Sequence, residues 1–206
     1  MIANRKNKLI HWFFHHYILR LVGKNFQSFN FNDVDVDKNR SVLLLANHFS
    51  WWDGFILYYL NNSAFKKRFH IMILEETVRK VFFLKYMGAF SISKNSKDML
   101  ASLNYAVELL KDPNNLVLIF PQGKLYSNFV DEVQFEKGIQ RVTNKVQNNA
   151  QIVFAATFIE YFEHKKPSIN VYLSKSNNSF TTQVELSTAY AAQYNKAKQQ
   201  QTQIVK

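Results

Sequence analysis

The sequence predicts an α/β domain with a mostly parallel central sheet flanked by helices, preceded by an N-terminal amphipathic, membrane-associated helix. Three observations predict it. Short continuous apolar runs recur along the chain, segments of helical character separate most of them, and hydrophobic residues make up 47% of 206 residues, enough for a substantial core. Strands that alternate with helices form parallel sheets, because each crossover returns the chain to start the next strand in the same direction.

The first segment, Leu9 to Gly23, is apolar but contains His11, His15, His16 and Arg20. It is shorter than the span of about 20 residues that crosses a bilayer, and it lacks a small-residue cleavage site. On a helical projection Ile10, Phe14, Tyr17 and Leu21 form a stripe, with His11, His15, His16, Arg20 and Lys24 on the broader opposite side around Trp12 and Leu19. Residues 1–25 therefore read as an interfacial helical segment. Its aromatic residues would lie at the acyl boundary while Arg5, Lys6, Lys8, Arg20 and Lys24 meet anionic headgroups, each contributing about 1 kcal/mol. A helix that covers the core is the alternative. His11 and His15 have the spacing of a metal pair, but only His16 stands near as a third ligand, so interfacial histidines are the simpler account.

Residues 26–206 contain no linker that would split them. Phe26 to Asp37 reads as a polar, Phe-containing connector, and Val42 to Ala46 as a buried strand ended by Asn47. Further strands are expected at Phe69 to Leu74, Ala89 to Ser93, Leu116 to Phe120 and Ile152 to Phe158, with Ile169 to Leu173 as an additional one. Phe55 to Leu60 is helical. The clearest helix runs from Ser96 to Lys111, with Leu100, Leu103, Val107 and Leu110 as its apolar face and Pro113 beyond its end. Others are expected over Phe135 to Gln147 and from Ser187 onward, the last fraying into Gln199-Gln200-Gln201.

The excess of 26 Lys and Arg over 15 Asp and Glu gives a charge of +11, which favours an anionic partner without choosing among lipid, nucleic acid and phosphorylated substrate. Nucleic acid is disfavoured, because the aromatic residues lie in apolar runs rather than in a basic stacking motif. The absence of cysteine excludes a disulfide, a thiolate nucleophile and Cys-ligated zinc, and permits a reducing compartment.

The segment that carries chemistry is Asn47-His48-Phe49-Ser50-Trp51-Trp52-Asp53-Gly54, between the buried strand and the next helical stretch. A loop leading into a helix can fold Asp53 back to His48, where its carboxylate would fix the tautomer and stabilise the imidazolium. Such a base can deprotonate a hydroxyl or amine for direct attack on a thioester. The plainer alternative is a core histidine and a helix-capping aspartate. No Gly-x-Ser-x-Gly, Walker A or Gly-x-Gly-x-x-Gly segment supports a hydrolase, nucleotide hydrolase or dehydrogenase. Trp51 and Trp52 suit an acyl channel or a membrane interface, with packing beneath the loop an equal option for one of them.

Asn47-His48-(four residues)-Asp53 resembles the His-x4-Asp motif of the glycerolipid acyltransferases, which include the bacterial lysophosphatidate acyltransferases. Later segments resemble the family's other blocks in order. Gly88 to Lys94 is similar to the second, which typically ends in Arg, and Phe120-Pro121-Gln122-Gly123 to the Phe-Pro-Glu-Gly of the third. Phe135-Glu136-Lys137-Gly138 looks like the segment just beyond it. Ile152 to Thr157 stands where a fourth block lies, with Phe154 in place of its usual proline.

The resemblance covers residues 40 to 160. It implies that residues 26–206 are an acyltransferase domain working at a membrane surface, on the cytoplasmic face. It implies an acyl-CoA or acyl-carrier-protein donor, a lysolipid acceptor, and no metal or other cofactor. His48 would be the general base and Asp53 its support, with Gly88, Ser93, Lys94, Phe120, Pro121, Gln122, Gly123 and Lys124 around the acceptor. The amides at Pro121-Gln122-Gly123 could contact an anionic or hydroxylic group, or the segment could be only a tight turn.

Two departures matter. Lys94 lacks the planar fork with which Arg grips phosphate. Gln122 replaces Glu, and Lys124-Leu125 replaces the usual Thr-Arg. A bulkier or non-phosphate acceptor fits these changes, and a catalytically inactive lipid-binding relative is the alternative reading.

Overall fold

A computed structural model describes residues 1–93 and 96–205, with the side chains of Ser96 and Lys97 also left aside. Seven strands form one sheet. Helix α1 (Lys8–Asn25) precedes β1 (Ser28–Phe31), β2 (Ser41–Ala46), α2 (Asp53–Leu60), β3 (Arg68–Leu74), α3 (Glu75–Lys80) and β4 (Ala89–Ile92). There follow α4 (Ser96–Leu109), β5 (Asn115–Ile119), α5 (Ile139–Val146), β6 (Ala150–Glu160), β7 (Ser168–Ser176) and α6 (Gln183–Thr202). The strand order is β1-β7-β6-β2-β5-β3-β4, parallel throughout except for the antiparallel pair β6 and β7. The expected α/β class and mostly parallel sheet are what the chain adopts.

β2 is central and fully buried, so it needs apolar side chains on both faces. Val42, Leu44 and Ala46 face α1 and α2, while Leu43 and Leu45 face α4, α5 and α6. Burying each leucine contributes about 1.5–3 kcal/mol. β2, β3, β4 and β5 are mutually parallel, which gathers their carboxyl ends, and the loops that follow them, along one side of the sheet.

Several local expectations need correction. The connector over Phe26 to Asp37 contains an edge strand: β1 pairs in parallel with β7, from Ser28 with Ser168 to Phe31 with Val171. Its alternation is too short to stand out against neighbouring Asn and Asp. The helix expected from Phe135 starts only at Ile139, after Gly138 at φ 111°, a left-handed conformation that glycine adopts readily.

The last helix begins at Gln183, earlier than expected, because Thr182 and Glu185 form a capping box. It does not fray at Gln199-Gln200-Gln201. Gln201 is buried and accepts a hydrogen bond from the Tyr172 hydroxyl at 3.2 Å. Finally, the buried positions of α1 are Ile18 and Val22, with Phe14 stacked on Phe83 at 4.0 Å, whereas Tyr17 of the expected stripe is exposed. On α4, Leu103, Val107 and Leu110 are buried as expected but Leu100 is exposed.

Candidate active site

The loop after β2 is held at both ends. Asn47 is buried and meets Thr157 of β6 with two hydrogen bonds, Nδ2 donating to the carbonyl at 2.9 Å and Oδ1 accepting from the N–H at 2.8 Å. Its amide thus imitates a further rung of the β2–β6 ladder and fixes where His48 leaves the sheet. Asp53, the first residue of α2, turns back over the loop. Its Oδ2 accepts from His48 Nδ1 at 2.7 Å, from the Phe49 N–H at 2.7 Å and from the Ser50 N–H at 2.9 Å.

A carboxylate can only accept, so the Nδ1 of His48 carries the proton of the neutral imidazole and Nε2 keeps its lone pair. Asp53 is 2% exposed in its side chain and His48 24%. The support is therefore sealed in while the imidazole retains access to the space beyond. The His48 ring lies nearly parallel to Phe120, 4.1 Å between centroids, which fixes its plane.

The loop after β5 grips the same histidine from the other side. Gln122 is 2% exposed, and its side-chain Oε1 accepts the His48 backbone N–H at 2.6 Å. The Tyr126 N–H donates to the His48 carbonyl at 3.0 Å. Gly123, at φ 65°, donates its own N–H to the Phe120 carbonyl at 3.2 Å. Of the two readings of this segment, the tight turn accounts for Gly123. Pro121 has no N–H, so neither residue offers a free amide to an anion.

His48 opens on a cavity of about 1020 Å³. Its walls are largely apolar, with Ile18 of α1, Phe55 and Tyr58 of α2, Phe69 and Ile71 of β3, then Leu84 and Met87 among the lining residues. Tyr58 donates or accepts at His15 Nδ1, 2.8 Å away, and burial pushes its hydroxyl up to about 12, so it stays neutral. Polar side chains line it as well, namely Ser93, Gln122, Lys124, Tyr126, Glu136 and Lys137, and two of these residues, Gln122 and Tyr126, are bonded to the His48 backbone. A mainly apolar space that also carries polar groups suits an amphiphile.

The structure brings His48, Ser93, Phe120, Pro121, Gln122, Gly123 and Lys124 to this one cavity, with Asp53 directly behind His48. Lys94 lies outside the described residues. Gly88 is not part of the cavity wall. It has φ 93° after the turn at Leu84–Met87, and a Cβ there would lie 1.9 Å from the Phe69 carbonyl oxygen, so close backbone approach explains this glycine. Trp51 lines the cavity, whereas Trp52 packs edge-on against Phe26. The roles of Asn47 and Tyr58 leave no local signal in the sequence, because their partners are 110 and 43 residues away.

Among the described residues, no helix is long and apolar enough to cross a membrane. α1 exposes four large side chains, Leu9, Trp12, Phe13 and Tyr17, and the exposed Phe82 makes an edge contact with Phe14 of the same helix, 6.0 Å between centroids.

Residues 28–157 match the family model described as Acyltransferase. No curated protein matches the chain. Among solved structures, the fold is similar to the crystal structure of the 1-acyl-sn-glycerophosphate (LPA) acyltransferase, PlsC, from Thermotoga maritima, with a TM-score of 0.62 at 16% sequence identity. The match covers 93% of this chain and 83% of that one.

Proposed function

Because this chain belongs to the acyltransferase family, we propose that it moves a fatty acyl group from acyl-CoA or acyl-carrier protein to the hydroxyl or amine of a lysolipid at a membrane surface. The observation that carries the reading is the His48–Asp53 pair on the wall of a mainly apolar cavity. His48 Nε2 takes the acceptor's proton as its oxygen or nitrogen attacks the thioester carbonyl, and Asp53 stabilises the imidazolium that results. The imidazolium then returns the proton to the departing thiolate. Attack is direct, so no acyl-enzyme is required.

The acyl chain would lie against the apolar wall and the acceptor headgroup beside the polar side chains. Membrane association is supported by the exposed aromatic surface of α1, the same helix whose Ile18 forms part of the cavity wall. A lipid partitioned at this surface would need little travel through water. Lys94, by position in the second block, would add charge beside the acceptor.

Thiol release from palmitoyl-CoA and from acyl-carrier protein, measured across a panel of lysolipids, tests the assignment. Acceptor-dependent release should be lost in His48→Ala, by about 10⁴-fold or more as for other histidine bases at the centre of a reaction. A folded protein that releases no thiol with any acceptor, or an undiminished His48→Ala, would reject it in favour of a lipid-binding relative. Serine in place of Leu9, Trp12, Phe13 and Tyr17 should weaken binding to anionic liposomes without unfolding the protein, because Ile18 and Val22 keep the buried face of α1 intact.

A further inference from the structure

We propose that the exposed basic side chains of Lys137, Arg141 and Lys145 dock acyl-carrier protein, so that the carrier protein serves as acyl donor through a surface that acyl-CoA does not use. The inference rests on the acyl-transfer reading above and names the partner that delivers the acyl group.

The three residues lie four apart in the sequence and all are exposed. Lys137 forms part of the cavity wall, whereas Arg141 and Lys145 follow it on α5 and lie outside that wall. These two are one helical turn apart, about 6 Å along the axis. The other side of the helix, with Ile139, Val142 and Val146, is buried. α5 carries no acidic residue, and Lys137, Arg141 and Lys145 make no ion pair among the described residues. Lys145 donates only to the neutral amide of Asn104 on α4, at 3.2 Å. Carboxylates of the same layer are already taken, Glu108 by Lys111 and Asp131 by Lys198, each at 2.7 Å. Glu136 precedes Lys137 and shares the cavity wall with it. A row of like charges that nothing within the chain neutralises favours an acidic partner.

Its place in the fold selects that partner. α5 packs with α4 and α6 on one face of the sheet, and α1 and α2 cover the other. With the exposed aromatic side chains of α1 against a bilayer, α5 turns to water. The row therefore meets a soluble molecule rather than lipid headgroups. Acyl-CoA carries its charge on phosphates that follow the acyl chain towards the cavity, where Lys124 and Lys137 stand. Arg141 and Lys145 extend the charge along a helix, which matches carboxylates repeated along the surface of an acidic protein while its pantetheine arm takes the thioester into the cavity. The basic cluster of Lys66, Lys67 and Arg68 differs on both counts. It adjoins the start of β3, at the end of the strand away from the site, and Arg68 is paired with Asp112 at 3.0 Å while Lys67 donates to the carbonyls of Lys38 and Pro113.

The test is steady-state thiol release by the double variant Arg141→Glu with Lys145→Glu, using palmitoyl-carrier protein and palmitoyl-CoA with one lysolipid that the wild type acylates. For the carrier protein KM should rise at least about tenfold, and added salt should shrink the difference from wild type. With palmitoyl-CoA, kcat and KM should stay within about twofold of wild type, because neither residue lines the cavity. Binding to anionic liposomes should be unchanged. Arg141→Ala with Lys145→Ala, which adds no charge, should show the same contrast between donors with a smaller rise, and it decides the matter if the reversal lowers Tm. An unchanged KM for the carrier protein, an equal loss with both donors, a loss of liposome binding, or a wild type that accepts palmitoyl-CoA alone would each overturn the inference and leave the acyltransferase assignment in place. A wild type that releases no thiol from either donor would overturn both.

Discussion

The loop that carries His48 and the segments that carry the charged side chains of the cavity border the same space but are built differently. The His48 loop is satisfied from within: Asp53 Oδ2 accepts three donors, Asn47 ties the strand end to β6, and Gln122 and Tyr126 bind both backbone groups of His48. Across from it, Glu136 and Lys137 are exposed and make no ion pair or side-chain hydrogen bond among the described residues. Lys124 is likewise exposed, resting only above the Tyr126 ring at 5.4 Å. The chemical group is positioned before any substrate arrives, whereas the charged groups at the mouth acquire partners only with a ligand. Preorganisation is where a proton transfer needs it. Exposed charges cost little when left solvated and can adapt to a headgroup.

That difference can be broken most sharply at its wired end. Asp53→Asn keeps the volume and one acceptor oxygen but loses the negative charge that stabilises the His48 imidazolium, and kcat should drop by about 10³–10⁴. The check is steady-state thiol release beside an unchanged circular dichroism spectrum. A loss of less than tenfold would mean that the three hydrogen bonds to Asp53 shape the loop without supporting the base. At the open end the expected effects are smaller and of another kind. Lys124→Ala and Lys137→Ala should raise KM for an anionic donor or acceptor by about tenfold, with kcat within about threefold, and added salt should mimic them. Equal losses in kcat would show that these lysines act on the transition state.

The smallest effect belongs to a residue at the opposite end of β3, a control on both. His70 is largely buried and its Nδ1 accepts from the Asn4 side-chain amide at 2.7 Å, so burial holds its basicity below the usual histidine range. The folded state resists protonation more than the unfolded chain does. Stability should therefore be complete above the unfolded histidine value of about 6.5 and decline as pH falls below it. Thermal unfolding between pH 7 and pH 5 should show this slope, reduced in His70→Gln, while kcat at the plateau is unaffected.

Much of the fold was legible because it rests on local patterns. The run Val42-Leu43-Leu44-Leu45-Ala46 reads as a strand buried on both faces, and it is the centre of the sheet. The spacing of Leu103, Val107 and Leu110 identifies the buried face of α4. β1 was not legible, because four residues of which three are only half-buried carry too weak an alternation to stand apart from a loop. The start of α6 was written in Thr182 and Glu185, but as two polar residues whose reciprocal bonds only the cap geometry reveals.

For the candidate site, the order of short motifs along the chain is enough to relate His48, Asp53 and the Phe120 to Lys124 segment to one family. Local sequence also explains why Asp53 can return to His48, since five residues entering a helix suffice. What each remaining residue does depended on partners far away in the chain. Gly88 serves backbone packing against Phe69, Gln122 secures a residue 74 positions earlier, and Ile18 and Tyr58 help enclose a cavity with β3. The sequence by itself determined the elements and the residue types of the chemistry, because helical and strand periods and motif spacing are properties of neighbouring residues. Only the tertiary structure decided which face of α1 is buried and which donors remain unpaired, because those depend on strands meeting in an order that local sequence does not specify.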